Sequence, residues 1–145
     1  MSQQKWSLRP LNDGDVSFVF SSFLKSCREA PAFQEIPNHI YFAKMHERME
    51  ATLDGPQTFT IVACDPSEPD VVFGYIVGEL VRDDLVIHYT YVKHALRGFG
   101  LGKAMEGELL KIPHQKVYYS MRTRVSDSLN RSRRYIYDPF LLWGK

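Results

Sequence analysis

The sequence predicts an α+β domain with mixed strand directions. Three observations carry that reading. Between Thr58 and Val92 lie three β-branched and aromatic runs separated by turn residues. On both sides of this block the apolar residues recur at three and four, the period of amphipathic helices. Short extended segments stand at both ends, so strands and helices are not in strict alternation.

Each element has its own signal. Trp6 to Leu11 alternates and stops at Asn12-Asp13-Gly14, a short strand and a turn. Asp13 or Asp15 is placed to cap a helix in which Val16, Val19, Phe20, Phe23, Leu24 and Cys27 share a side, ending before Pro31. A second helix starts after Pro37-Asn38. It has Ile40, Phe42, Met45, Met49, Thr52 and Leu53 along one side, and Lys44, Glu47, Arg48 and Glu50 on the other. Asp54-Gly55-Pro56 closes it. Thr58 to Cys64, Val71 to Val81 and Leu85 to Val92 then read as an antiparallel meander, with turns at residues 65–70 and 82–84. Leu101, Met105, Leu109 and Ile112 mark a helix over 100–111, closed by Pro113. Lys116 to Met121 predicts a strand, Asp127 to Arg134 a helix, and Tyr135 to Trp143 a last extended segment. The order is β-α-α-β-β-β-α-β-α-β.

Composition sets outer limits. The chain has 145 residues, 44% hydrophobic and 24% charged, the size and make-up of one globular domain. A chain of this length buries enough surface to fold without a disulfide or structural metal. Its net charge of +1 gives no general reason to bind nucleic acid or membranes. Cys27 and Cys64 stand alone and read as small buried side chains of a reducing compartment. No apolar run is long enough to span a bilayer, and Met1 to Trp6 has no signal-peptide core, so a soluble cytoplasmic protein is expected.

The stretch from Tyr91 to Met105 carries the chemistry: strand, then Arg97-Gly98-Phe99-Gly100-Leu101-Gly102-Lys103, then helix. Helix N-termini present unpaired N–H groups and a positive dipole end. Glycines at 98, 100 and 102 remove the side chains that would hold a phosphate away. Two nucleotide loops fail on spacing. A P-loop requires Ser or Thr where Ala104 stands and Gly where Arg97 stands. The dinucleotide fingerprint requires Gly at Lys103. It also wants a parallel β-α-β unit with an acidic residue about 20 positions on, and residues 119–125 hold no Asp or Glu.

Arg97-x-x-Gly100-x-Gly102 resembles the acyl-CoA pyrophosphate loop of the GNAT superfamily of N-acetyltransferases. Val92 stands five before the arginine, as in the family, and the order of elements matches over nearly the whole chain. The resemblance departs at His94, where Pro is usual, and at Tyr137-Asp138-Pro139-Phe140, where the family ends Tyr-x-x-x-Gly-Phe. The Tyr91-Val92-Lys93 approach and that ending are similar to small phage-encoded members. The resemblance implies a GNAT-like mixed, mostly antiparallel central sheet flanked by helices, with residues 1–145 as one acetyl-CoA-binding domain. It further implies that backbone groups of Tyr91, Val92 and Lys93 pair with the pantetheine arm. The loop Arg97, Gly98, Phe99, Gly100, Leu101, Gly102 and Lys103 would hold the pyrophosphate, and Asn130 would assist.

Amide formation needs a base for the amine and an acid for the thiolate. His88, on the strand leading to the loop, and Glu79, on its neighbour, are the base candidates. The family's habit of a Tyr after the fourth helix makes Tyr137, seven after Asn130, the first acid candidate and Tyr135 the second. Half of the arginines, Arg122, Arg124, Arg131, Arg133 and Arg134, cluster in the C-terminal part. They could meet the CoA 3′-phosphate or an acidic partner, or form a solvated helix face. His46-Glu47-Arg48-Met49-Glu50 resembles a zincin helix but has Glu in place of the second His, and His39, His94 and His114 show no ligand spacing, so no metal is expected. The leading function is direct transfer of an acetyl group from acetyl-CoA to a small amine or a protein amine. The alternative is a CoA-binding interaction protein of the same fold, acting on a protein partner.

Overall fold

The computed structural model describes residues 5–123 and 135–142. Six strands among them form one sheet in sequence order: β1 (Ser7–Pro10), β2 (Thr58–Cys64), β3 (Val72–Val81), β4 (Asp84–Val92), β5 (Val117–Tyr119) and β6 (Ile136–Tyr137). The first four pair antiparallel, while β4–β5 and β5–β6 pair parallel. Helices α1 (Val16–Arg28) and α2 (Asn38–Leu53) pack on one face. Helix α3 (Leu101–Leu109) packs on the other. This is the α+β domain with mixed strand directions that the periodicities predict, and the mixed, mostly antiparallel sheet that the resemblance implies. The predicted helix over 127–134 lies outside the described residues. Among those described, no helix is long and apolar enough to cross a membrane.

Alternation along the strands separates two cores. Tyr75, Val77 and Tyr89 face α1 and α2, meeting Val19, Phe23, Tyr41, Met45 and Met49. Ile76, Leu85, Ile87 and Val92 face α3, meeting Leu101, Met105 and Leu109. Both cysteines are free and buried, and burial pushes the Cys27 thiol well above its ordinary range.

Several expectations are corrected. In α2 the buried stripe is Tyr41, Met45, Met49 and Thr52. Ile40 and Phe42 are 44% and 42% exposed, because a stripe at three and four that includes Met45 and Met49 passes through 41. Asp15 begins α1 but does not cap it through its side chain. Its carboxylate instead accepts from both terminal nitrogens of Arg9, at 2.6 and 2.9 Å, and from the Asn12 N–H at 2.9 Å. The Arg9 guanidinium holds that carboxyl below its usual range and ties β1 to the start of α1. The C-terminal extended segment is only two residues long. Pro139 opens a 3-10 turn to Leu142, and Asp138 Oδ1 accepts the Phe140 N–H at 3.1 Å. Finally, β4, α3 and β5 do make a parallel β-α-β unit, so the dinucleotide loop is disfavoured by Lys103 and the missing acid alone.

Gly78 on β3 lets α3 sit against the sheet. A Cβ there would lie 2.6 Å from Leu109 Cδ2, and Leu109 is fully buried with no room to turn away. Gly78→Ala is expected to lower stability by about 1–3 kcal/mol, the usual range for overpacking a core. Urea unfolding measures this, and an unchanged midpoint would mean that α3 is not seated as described.

Candidate functional site

The loop between β4 and α3 is built for a ligand that approaches its backbone. Residues 94–96 form a 3-10 turn, and Gly98 and Gly100 have φ of +90° and +86°. Nothing lies within 4 Å of where a Cβ would stand at either glycine. The first helical bond of α3 is Ala104 N–H to Gly100 C=O at 3.0 Å, which leaves the N–H groups of Leu101, Gly102 and Lys103 without helical acceptors. The Leu101 side chain is in the core, so only its backbone is available to a ligand. Phe99 and Lys103 point to solvent. Arg97 turns back and donates its Nε–H to Val92 C=O at 3.0 Å.

Beside this loop the sheet opens. Strand β5 follows β4 in parallel only through Leu85, Val86 and Ile87, and the last contact is Ser120 N–H to Ile87 C=O at 3.1 Å. There β4 also has a bulge: Gly78 pairs with Ile87 and Val77 with Tyr89, so His88 is the extra residue. Among the described residues, β4 beyond it is paired on one side only. Lys93 gives its N–H to Phe73 C=O at 2.9 Å, and by antiparallel alternation Tyr91 also faces β3. The backbone groups that face the opening are therefore those of Thr90 and Val92. Of the expected trio only Val92 is so placed, and Thr90 joins it. Thr90 also has a buried Oγ1 with no hydrogen-bond partner among the described residues.

The bulge sends both His88 and Tyr89 toward the α1–α2 face. His88 is completely buried, with Nε2 2.8 Å from Glu79 Oε1 and Nδ1 2.7 Å from Ser120 Oγ. The two base candidates are thus one hydrogen-bonded unit, and neither reaches the surface by itself. Tyr137 is 42% exposed, with its ring 5.1 Å from that of Tyr119. Tyr135 is elsewhere: it packs in the α3 core and donates its hydroxyl to Glu106 Oε1 at 2.9 Å. Of the two acid candidates, Tyr137 lines the cleft beside the opening and Tyr135 does not. Asn130, Arg124, Arg131, Arg133 and Arg134 lie outside the described residues.

A cleft of about 1140 Å³ lies beside the opening. Its sheet side is Tyr89, Thr90, Tyr91, Ser120, Met121 and Tyr137, and its helical side is the end of α1 with residues 29–34. Arg97 and Arg122 stand along it. Burial raises the Tyr89 phenol far above its ordinary range, so it stays a neutral hydroxyl. Sequence reasoning missed Ser120, Thr90 and the 29–34 loop. Ser120 is 32 residues from its partner His88, and only the parallel β4–β5 register brings them together. Among the described residues no group of three or more His, Cys, Asp or Glu could hold a metal ion.

No family model matches the chain, and no curated protein matches it in sequence. Its backbone does resemble solved structures. A Pyrococcus furiosus protein described as an acetyl transferase superposes with a TM-score of 0.69 at 13% identity, over 90% of this chain and 91% of that one. The fold is that of the GNAT acetyltransferases. The PaiA N-acetyltransferase of Thermoplasma acidophilum, in complex with coenzyme A, has the same fold at a TM-score of 0.53 and 14% identity, over 75% and 72% of the two chains. An aminoglycoside acetyltransferase from an uncultured soil metagenomic sample, in complex with sisomicin, gives 0.57 and 15%, over 89% and 86%. The open space at Gly98 and Gly100 lets an anion approach the free N–H groups at the start of α3.

Tyr135→Phe removes a donor from the buried Glu106 and should cost about 1–3 kcal/mol of stability. Thermal unfolding checks this, and a melting point equal to the parent's would place the Tyr135 hydroxyl outside the core.

Proposed function

We propose that residues 1–145 act as one acetyl-CoA-binding domain that transfers an acetyl group directly to an amine. The observation that carries the reading is the parting of β4 from β5 beside a glycine loop that opens a helix. It leaves the backbone groups of Thr90 and Val92 facing the opening, with Thr90 and Arg97 on the wall of the cleft beside it. In this reading the N–H groups from Gly98 to Lys103 hold the pyrophosphate. The Val92 N–H polarises the thioester carbonyl, and the Thr90 hydroxyl bonds the arm of the same molecule. Acetyl-CoA brings an already activated acyl group, so most of the work is positioning. The acceptor enters between residues 29–34 and β4. The Glu79–His88 pair takes its proton, and Tyr137, which lines the cleft, returns one to the departing thiolate.

Acetylation of a panel of amines, followed by release of the CoA thiol, tests the activity. A protein that binds CoA but releases no thiol with any amine would instead be a binding protein of this fold. Two substitutions test the site. Gly100→Asp puts a carboxylate where the pyrophosphate would lie. We expect at least a tenfold loss of CoA affinity by calorimetry, about 1.4 kcal/mol, with the fold kept. Unchanged affinity would move the site elsewhere. Tyr137→Phe should lower turnover about a hundredfold while CoA affinity barely changes. Equal turnover would mean that water protonates the thiolate.

A further inference from the structure

His88 cannot take a proton from an acceptor directly, because it is fully buried and both ring nitrogens are engaged. Ser120 is the group that connects it to the cleft. Its Oγ lies 2.7 Å from His88 Nδ1, the residue is 2% exposed and lines the cleft, and its own N–H is fixed on Ile87 C=O at 3.1 Å. We propose that Ser120 is the cleft-facing end of a proton relay, Ser120–His88–Glu79, and is the residue that touches the acceptor amine. The proposal rests on the acetyltransferase reading above.

The direction of the relay follows from the donors and acceptors. An ionised Glu79 only accepts, so His88 Nε2 carries the ring proton and donates it at 2.8 Å. Nδ1 is then bare and accepts the Ser120 hydroxyl proton. The serine oxygen keeps lone pairs for an ammonium N–H in the cleft. As that N–H bond breaks, an O–H bond forms on Ser120, the old Ser120 O–H breaks, and an N–H bond forms at Nδ1. The amine is left with the free electron pair that attacks the thioester, and the imidazolium is held against the Glu79 carboxylate. Of the two protons the nitrogen loses on becoming an amide, one takes this path and the other goes to the thiolate. After the amide leaves, the imidazolium returns its proton to solvent through the same hydroxyl.

The test compares Ser120→Ala and Ser120→Thr in the full chain, using two acceptors of different basicity. An alkylamine is an ammonium at neutral pH and needs the relay, whereas an aromatic amine is already neutral and does not. Ser120→Ala should lower kcat about a hundredfold for the alkylamine and far less for the aromatic amine. Ser120→Thr should restore most of the turnover, and the KM for acetyl-CoA should hold throughout. Equal losses with both acceptors would make Ser120 structural and overturn the relay, as would an alanine variant as active as the parent. A covalently acetylated Ser120, seen by intact mass, would overturn it as well. ¹⁵N NMR of His88 gives a readout independent of turnover: the relay requires a proton on Nε2 and none on Nδ1 at neutral pH, and the opposite tautomer would refute it. A parent protein that acetylates neither amine would instead bring down the acetyltransferase reading itself.

Discussion

Everything at the site depends on where β5 stops following β4. Up to Ile87 the strand is bonded on both edges, and one residue later the bulge at His88 turns it. A bulge adds twist and leaves a residue outside the ladder. Past that point β5 has no register to follow, and the sheet opens. Backbone polar groups left at such an opening require partners. Arg97 supplies one by donating to Val92 C=O, and the Thr90 and Val92 groups that face the opening remain for a ligand. The opening also fixes the place of the glycine loop, because the chain must pass from the end of β4 into α3 directly beside it.

The same bulge explains why a carboxylate, an imidazole and a hydroxyl meet inside the sheet. Val86 and Tyr89 would face opposite sides of a regular strand, but the extra residue puts both His88 and Tyr89 on the α1–α2 side. There His88 meets Glu79 across β3–β4 and Ser120 just past the end of β5. Burying a carboxylate with an imidazole does little for stability: taking a charge out of water costs several kcal/mol, and apolar residues of similar size often do better. Purely as packing, then, the unit is an inferior choice for the middle of a sheet. The proposed relay supplies a rationale at its other end, where Ser120 lines the cleft.

The sequence shows clearly whatever is local. The meander is readable because turns interrupt β-branched runs, and the loop because Arg97, Gly98, Gly100 and Gly102 stand within six positions. The same holds for α1, whose buried Val19, Phe23 and Cys27 follow its period. Errors arise where a residue's nature and its place in the period disagree. Ile40 and Phe42 look like core by composition, yet the stripe goes through Tyr41, whose hydroxyl reaches Leu24 C=O at 2.7 Å and so can be buried. Contacts between distant segments leave no local trace. His88 and Glu79 each look like separate candidates until the β3–β4 register joins them, and Tyr135 looks equivalent to Tyr137 until one turns to Glu106 and the other to the cleft.

The division between backbone and side chains also explains how the fold persists while sequence likeness fades. Identities of 13–15% with structures of the same fold leave few shared side chains. A phosphate site made of helix N–H groups requires only that glycines allow close approach, as Gly98 and Gly100 do at positive φ. An arm that pairs with the open edge of β4 requires only the bulge and the parted strand. Neither demand fixes a side chain, so most of the chain is free to change without altering that end of the cleft. The opposite holds at residues 29–34 and the end of α1, where the helical side of the cleft consists of side chains on a connection that no ladder constrains. In the proposed reaction, selectivity for the acceptor therefore belongs to that wall, and it is the part of the cleft that a shared fold says least about.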